Sequence, residues 1–175
     1  SVENSSFISI AGVHVDNPSN SGQSLVFINE SKNISFTNSE VNGKVDTVYP
    51  ITGPSFGIYV YGDSAGIRLE NNNEHDVQNG VVTFGASNVT IVGNTIDRIG
   101  EDAFKFSNVN GGVIADNIGL KYIYPGVDTH SDFMQFQGAP SSNLVISGNV
   151  FLPQNRFDTQ GIFMGGQGGH SNIMI

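Results

Sequence analysis

Four short stretches concentrate the residues able to do chemistry: 74–79, 97–102, 126–132 and 155–160. In and just after them stand the carboxylates of Asp102, Asp132 and Asp158, the amine of Lys105, the guanidinium of Arg156, the imidazole of His130 and the amide of Gln135. That set suits removal of a proton from carbon next to a carboxylate. A cation neutralises the substrate's carboxylate and lowers the barrier, a lysine or histidine takes the proton, and an acid protonates the departing oxygen or the opposite face. Lys105 or His130 is the base in this scheme. Arg156 meets the substrate carboxylate, because its planar fork makes two bonds to it. Asp102 and Asp132 act as acid or together hold Ca²⁺, since two close carboxylates either share a proton or bind a cation. Each residue also has a structural reading: an Asp can open a strand as a turn or ladder residue, and a lysine on a free face can shield a sheet. His75-Asp76 reads as a turn and His170 as structural. Other chemistries lack their residues. The sequence has no cysteine, no Gly-x-Ser-x-Gly elbow and no His-Glu-x-x-His. The glycine-rich 165–169 is followed by neither a lysine nor a helix signal, so it reads as a corner.

What must position these groups is a repeat. In 87–96, apolar Val89, Ile91 and Ile96 flank Thr90, and Gly93-Asn94 interrupts the run. A period of two makes this a strand, and Gly-Asn tolerates the left-handed backbone of a bend. The same module recurs with anchors at Ile8, Ile34, Ile67, Val89, Gly112, Leu144 and Ile173, spaced 26, 33, 22, 23, 32 and 29 residues apart. A second apolar module precedes each later anchor, with Val26/Ile28, Tyr59/Tyr61, Val82/Phe84, Phe104/Phe106, Met134/Phe136 and Ile162/Met164 as its expected inward pairs. Thr83, Lys105 and Gln135 fall on the opposite face. About 22 residues suffice for one coil of a parallel β-solenoid, and longer spacings place inserted loops at a corner. Only five leucines and six alanines occur, which argues against leucine-rich and helical repeats. Stacked asparagines, Asn72, Asn94, Asn117 and Asn149, can bond one another's amides along the axis.

The pattern Asn-x-Ile/Val-x-Ile-x-x-Asn, running from about Phe7 to Ile175, resembles the right-handed parallel β-helix repeat of the pectate-lyase-like superfamily. The resemblance implies an all-β, single-stranded right-handed parallel β-helix, of about six coils by the count of anchors. One domain over residues 1–175 is expected, and a chain that begins beside a strand and stops inside one is expected to be part of a longer solenoid. It also implies a lyase or C5-epimerase of an acidic polysaccharide. Neighbouring coils lie about 4.8 Å apart. The alignment therefore stacks Asp102, Asp132 and Gln160 in one column, Lys105 and Gln135 in another, and His130 beside Asp158. Asp102, Lys105, His130, Asp132, Gln135 and Arg156 then line one groove with Asp158 at its edge, and Tyr122 and Tyr124 stack on sugar rings. Two alternatives stay open: a non-catalytic glycan-binding, tail-spike-like or adhesin fibre, and a glycoside hydrolase using Asp102 and Asp132 as its carboxylate pair.

Composition narrows the partners. A formal charge of −9 with seven basic residues disfavours nucleic acid, and no apolar run of 18 residues suggests membrane insertion. An acidic surface fits bound cations and an extracellular, secreted or virion-surface setting. Open solenoid ends expose strand edges, so a homo-oligomer or a capping partner is expected there. Sequons at Asn4, Asn29, Asn33 and Asn88 follow from an asparagine-rich repeat.

Overall fold

Alternation within each repeat makes short strands, and the computed structural model, which describes residues 1–16, 24–43, 56–120, 131–152 and 160–175, stacks them in three sheets. Strands are numbered along the chain. The first sheet orders β1 (Val2–Glu3), β4 (Ser24–Asn29), β7 (Phe56–Tyr61), β10 (Asn79–Phe84), β13 (Phe104–Ser107), β16 (Asp132–Phe136) and β19 (Gln160–Met164). The second orders β2 (Ser6–Ala11), β5 (Lys32–Thr37), β8 (Arg68–Glu70), β11 (Ser87–Val92), β14 (Asn110–Ala115), β17 (Ser142–Ser147) and β20 (Ser171–Met174). The third orders β3 (His14–Asp16), β6 (Glu40–Asn42), β9 (Asn73–Val77), β12 (Thr95–Ile99), β15 (Ile118–Gly119) and β18 (Val150–Phe151). Each strand pairs in parallel with its counterparts one coil away. Two seven-stranded sheets and one six-stranded sheet agree with the expected solenoid of about six coils. No helix occurs among the described residues, so none there is long and apolar enough to cross a membrane.

The anchors align as the spacing requires. Ile8 pairs with Ile34, Val89 with Gly112, Gly112 with Leu144, and Leu144 with Ile173. Ile34, Ile67, Val89 and Leu144 are fully buried. At the bend after the second sheet, Gly93 carries the left-handed backbone at φ +68°, and Asn94 has a different task. Its Nδ2 donates to Asn117 Oδ1 (2.9 Å) and to the Leu69 carbonyl (2.9 Å), while its Oδ1 accepts Asn72 Nδ2 (3.0 Å) and the Asn72 N–H (3.0 Å). Asn117 continues the ladder to Asn149 at 2.9 Å. The buried amides are thereby satisfied along the axis, as polar groups out of water must be.

In the first sheet, two coils face the other way from the expectation. Ile58 pairs with Val26 and Val81, and Val60 pairs with Ile28 and Thr83. The inward pairs are therefore Ile58/Val60 and Val81/Thr83, and Tyr59, Tyr61 and Phe84 point outward. A one-residue slip moves a whole strand's side chains to the other face. Thr83 consequently sits in the core between Val60 and Phe106, with its hydroxyl buried and lacking a hydrogen-bond partner. Thr83→Val keeps the shape and removes the unsatisfied group. It should raise stability in denaturant melts by about 1 kcal/mol, whereas an outward Thr83 would leave the midpoint unchanged.

Candidate functional site on the first sheet

The outer face of the first sheet carries the residues singled out by their chemistry. Asp132 opens β16, and Asp102 stands just before β13 in the same column, because Phe104 pairs with Met134 and Lys105 with Gln135. Asp132 in turn pairs with Gln160. Each aspartate meets the residue three positions on. Lys105 Nζ donates to Asp102 Oδ2 at 3.1 Å, and Gln135 Nε2 donates to Asp132 Oδ2 at 3.1 Å. The remaining oxygen of Asp102 accepts the Asp132 backbone N–H at 3.0 Å. Two like-shaped pairs, one ionic and one amide, are thus superposed one coil apart.

Burial sets their electrostatics. Asp102 and Asp132 are 0% exposed and Gln135 is 5% exposed, while the Lys105 side chain keeps 18% of its surface. Burial pushes the Asp102 carboxyl up to about 6, opposed by the Lys105 charge and by the Asp132 N–H. The Asp102 carboxylate holds Lys105 and the Asp132 carboxylate holds Gln135, and Lys105 is the group of the four that keeps most contact with solvent. Gln135 Oε1 is buried with no hydrogen-bond donor. Among the described residues no group of three His, Asp or Glu side chains is gathered to hold a metal ion. Asp102 already spends one oxygen on Lys105 and the other on the backbone, so calcium there would have to displace the lysine. His130, Arg156, Asp158, Tyr122 and Tyr124 lie outside the described residues.

Three features escaped the sequence reading. The first is a cluster of rings on the same outer face: Tyr59 packs with Phe56 (4.8 Å between centroids), Tyr61 (5.5 Å), Phe27 (5.6 Å) and Phe84 (5.8 Å). The second is an ionic network on the third sheet, where a turn was expected. His75 lies between Asp76 (2.6 Å) and Glu40 (2.9 Å), Glu40 also meets His14 (2.9 Å), and Arg98 clamps Asp76 (2.8 Å) and Asp97 (2.6 Å). The hydrogen bonds from His75 and His14 hold the Glu40 carboxyl below the usual range. Burial pulls Asp76 upward, but Arg98 and His75 outweigh it and leave Asp76 lowered. The third is Glu74, which is fully buried inside the solenoid. His170 is structural, as read: its Nδ1 accepts the Ser141 N–H (3.0 Å) and its Nε2 lies 3.1 Å from the Gly165 carbonyl.

Comparison with known proteins agrees with this architecture. Among solved structures, DFA-IIIase from Arthrobacter chlorophenolicus A6 in complex with GF2 superposes with a TM-score of 0.54 at 12% identity, over 86% of this chain and 42% of that one. The same enzyme without its lid gives 0.55 at 12% identity, over 86% and 45%. The Streptococcus pneumoniae surface protein and adhesin PfbA gives 0.42 at 16% identity, over 82% and 50%, too slight a likeness to argue from. The chain thus spans less than half the length of the enzyme structures it matches. No curated protein matches the sequence. A family model described as "Right handed beta helix region" matches residues 1–174. The chain belongs to the right-handed β-helix family.

Proposed function

We propose that this β-helix receives an acidic polysaccharide along the outer face of its first sheet and modifies it as a lyase or C5-epimerase, in the manner of the pectate-lyase-like superfamily. One observation carries the reading: the Lys105 ammonium stands on that face, fixed by a fully buried Asp102 at 3.1 Å. A lysine held this way is a preorganised cation for a uronate carboxylate, and neutralising that carboxylate is what makes the neighbouring proton removable. Lys105 is therefore the electrostatic partner rather than the base. That leaves the base to His130, with Arg156 and Asp158 at the substrate and Tyr122 and Tyr124 on its rings. Hydrolysis by paired carboxylates fits less well, because Asp102 and Asp132 are both 0% exposed. The same burial favours one alternative, a glycan-binding fibre with no chemistry.

The test uses full-length protein on polygalacturonate and alginate, with and without calcium. Absorbance of the unsaturated product reads lyase activity, and NMR of uronic-acid composition reads epimerisation. Lys105→Ala should lower turnover by about 10²–10³, the range for removing one preorganised electrostatic donor. Glycan binding with unchanged polymer would establish the fibre. Equal turnover in wild type and Lys105→Ala would remove Lys105 from the site.

A further inference from the structure

The ring cluster sits outside the core. Ile58, Val60 and Val81 fill the solenoid beneath it, so Phe27, Phe56, Tyr59, Tyr61 and Phe84 are not needed to fill space there. Tyr61 keeps 47% of its surface. Tyr59 is ringed by the other four at 4.8–5.8 Å, which fixes its position without any help from a ligand. A cavity of about 620 Å³ opens beside it, lined by Phe27, Phe56, Tyr59 and Leu25 together with Ser1, Glu3 and Ser24. Among the described residues its lining pairs ring surfaces with hydrogen-bonding groups and holds one carboxylate, that of Glu3, and no side-chain cation.

We infer that this cavity and its rings form a second glycan subsite, which takes a neutral sugar unit rather than a uronate. The inference rests on the reading that the first sheet's outer face receives a polysaccharide. Aromatic rings take the apolar C–H face of a pyranose, and Glu3 and Ser24 accept its edge hydroxyls. A uronate carboxylate there would meet the like charge of Glu3, whereas Lys105 offers a side-chain cation further along. Tyr59, Val82 and Lys105 occupy successive rungs of one outward column, so the two subsites are about 10 Å apart along the axis. A single chain laid along the solenoid reaches both. The substrate class is thereby a mixed polysaccharide carrying neutral and acidic units.

The probes are cello- and manno-oligosaccharides, oligogalacturonates and alginate oligosaccharides on a printed array, with affinities from titration. The sequence has no tryptophan and five tyrosines, so tyrosine emission reports the stacking directly. Tyr59→Ala should weaken binding of neutral probes about tenfold, the scale of a lost aromatic contact. It should leave oligogalacturonate binding unchanged, and Tyr59→Phe should retain full affinity. Glu3→Gln should admit uronates that wild type rejects at this end. Lys105→Ala should show the converse selectivity. Wild type that ignores every neutral probe, or Tyr59→Ala that binds them as wild type does, overturns the subsite. If oligogalacturonate binding still depends on Lys105, the function proposed above stands without the subsite. If no glycan of either kind binds, both fall.

Discussion

Replacing Glu74 by leucine stabilises the chain, and by more at pH 8 than at pH 5. Glu74 lies in the inward column of the third sheet, paired with Val41 on one side and Ile96 on the other. Its two oxygens are buried and lack partners. Room for the carboxyl comes from Gly57, where a Cβ would stand 2.8 Å from Glu74 Oε2. The nearby Val77 is likewise apolar, and no charged group among the described residues compensates, so burial pushes the carboxyl from 4.5 to about 8. The folded chain then holds a proton that the unfolded chain releases near 4.5. Folded binds more protons than unfolded between those values, so stability falls as pH rises from about 4.5 to about 8 and levels off above. The slope in that window approaches about 1.4 kcal/mol per pH unit. Glu74→Leu abolishes this contribution and also removes an unsatisfied buried group. The gain should be about 1–2 kcal/mol at pH 5 and a few kcal/mol more at pH 8. Denaturant melts across that range for both proteins provide the measurement. Parallel curves would mean that Glu74 is ionised or solvated in the fold.

Asn94→Ala should cost about 3–5 kcal/mol. Truncation deletes all four side-chain bonds of Asn94 and leaves the Asn72 N–H and the Leu69 carbonyl without their side-chain partner. Asn72 Nδ2 keeps the Phe36 carbonyl at 3.0 Å, so the damage centres on the Asn72 backbone. Hydrogen exchange at the Asn72 amide should accelerate well beyond the global change. A loss below about 1 kcal/mol would show that water takes over the ladder's role.

The columns could be read from the sequence because the repeat spacing alone fixes the rungs. Asp102 over Asp132, Lys105 beside Gln135, and the asparagine ladder all follow from aligning the anchors, and the structure has them in that register. Facing was harder. In Ile58-Tyr-Val-Tyr both faces of the strand are apolar, so alternation has a period and no phase. Phase is set by what lies beneath, and here Thr83 went in and Tyr59 went out. Glu74 was illegible for a related reason. A carboxylate in an apolar column contradicts the pattern, and the missing side chain at Gly57, in the first-sheet strand of the same coil, leaves room for it. The burial of Asp102 and Asp132 is equally a matter of neighbours, each carboxylate being enclosed with the side chain three residues on, Lys105 or Gln135. The network of Glu40, His75, Asp76 and Arg98 joins residues from three coils, a combination that no local stretch displays.

The asparagine ladder also dictates how the rod bears load. Its amide bonds and the sheet bonds run parallel to the long axis, from each coil to the next. Tension applied along that axis meets them in series, so every boundary between coils carries the whole force and the weakest one opens first. Force applied across the axis is met by the continuous covalent chain of each coil and shared among its neighbours. A surface that grips a long polymer lying along the rod is therefore pulled in its softer direction. Buried amide pairs at the bends are what keep adjacent coils from parting there.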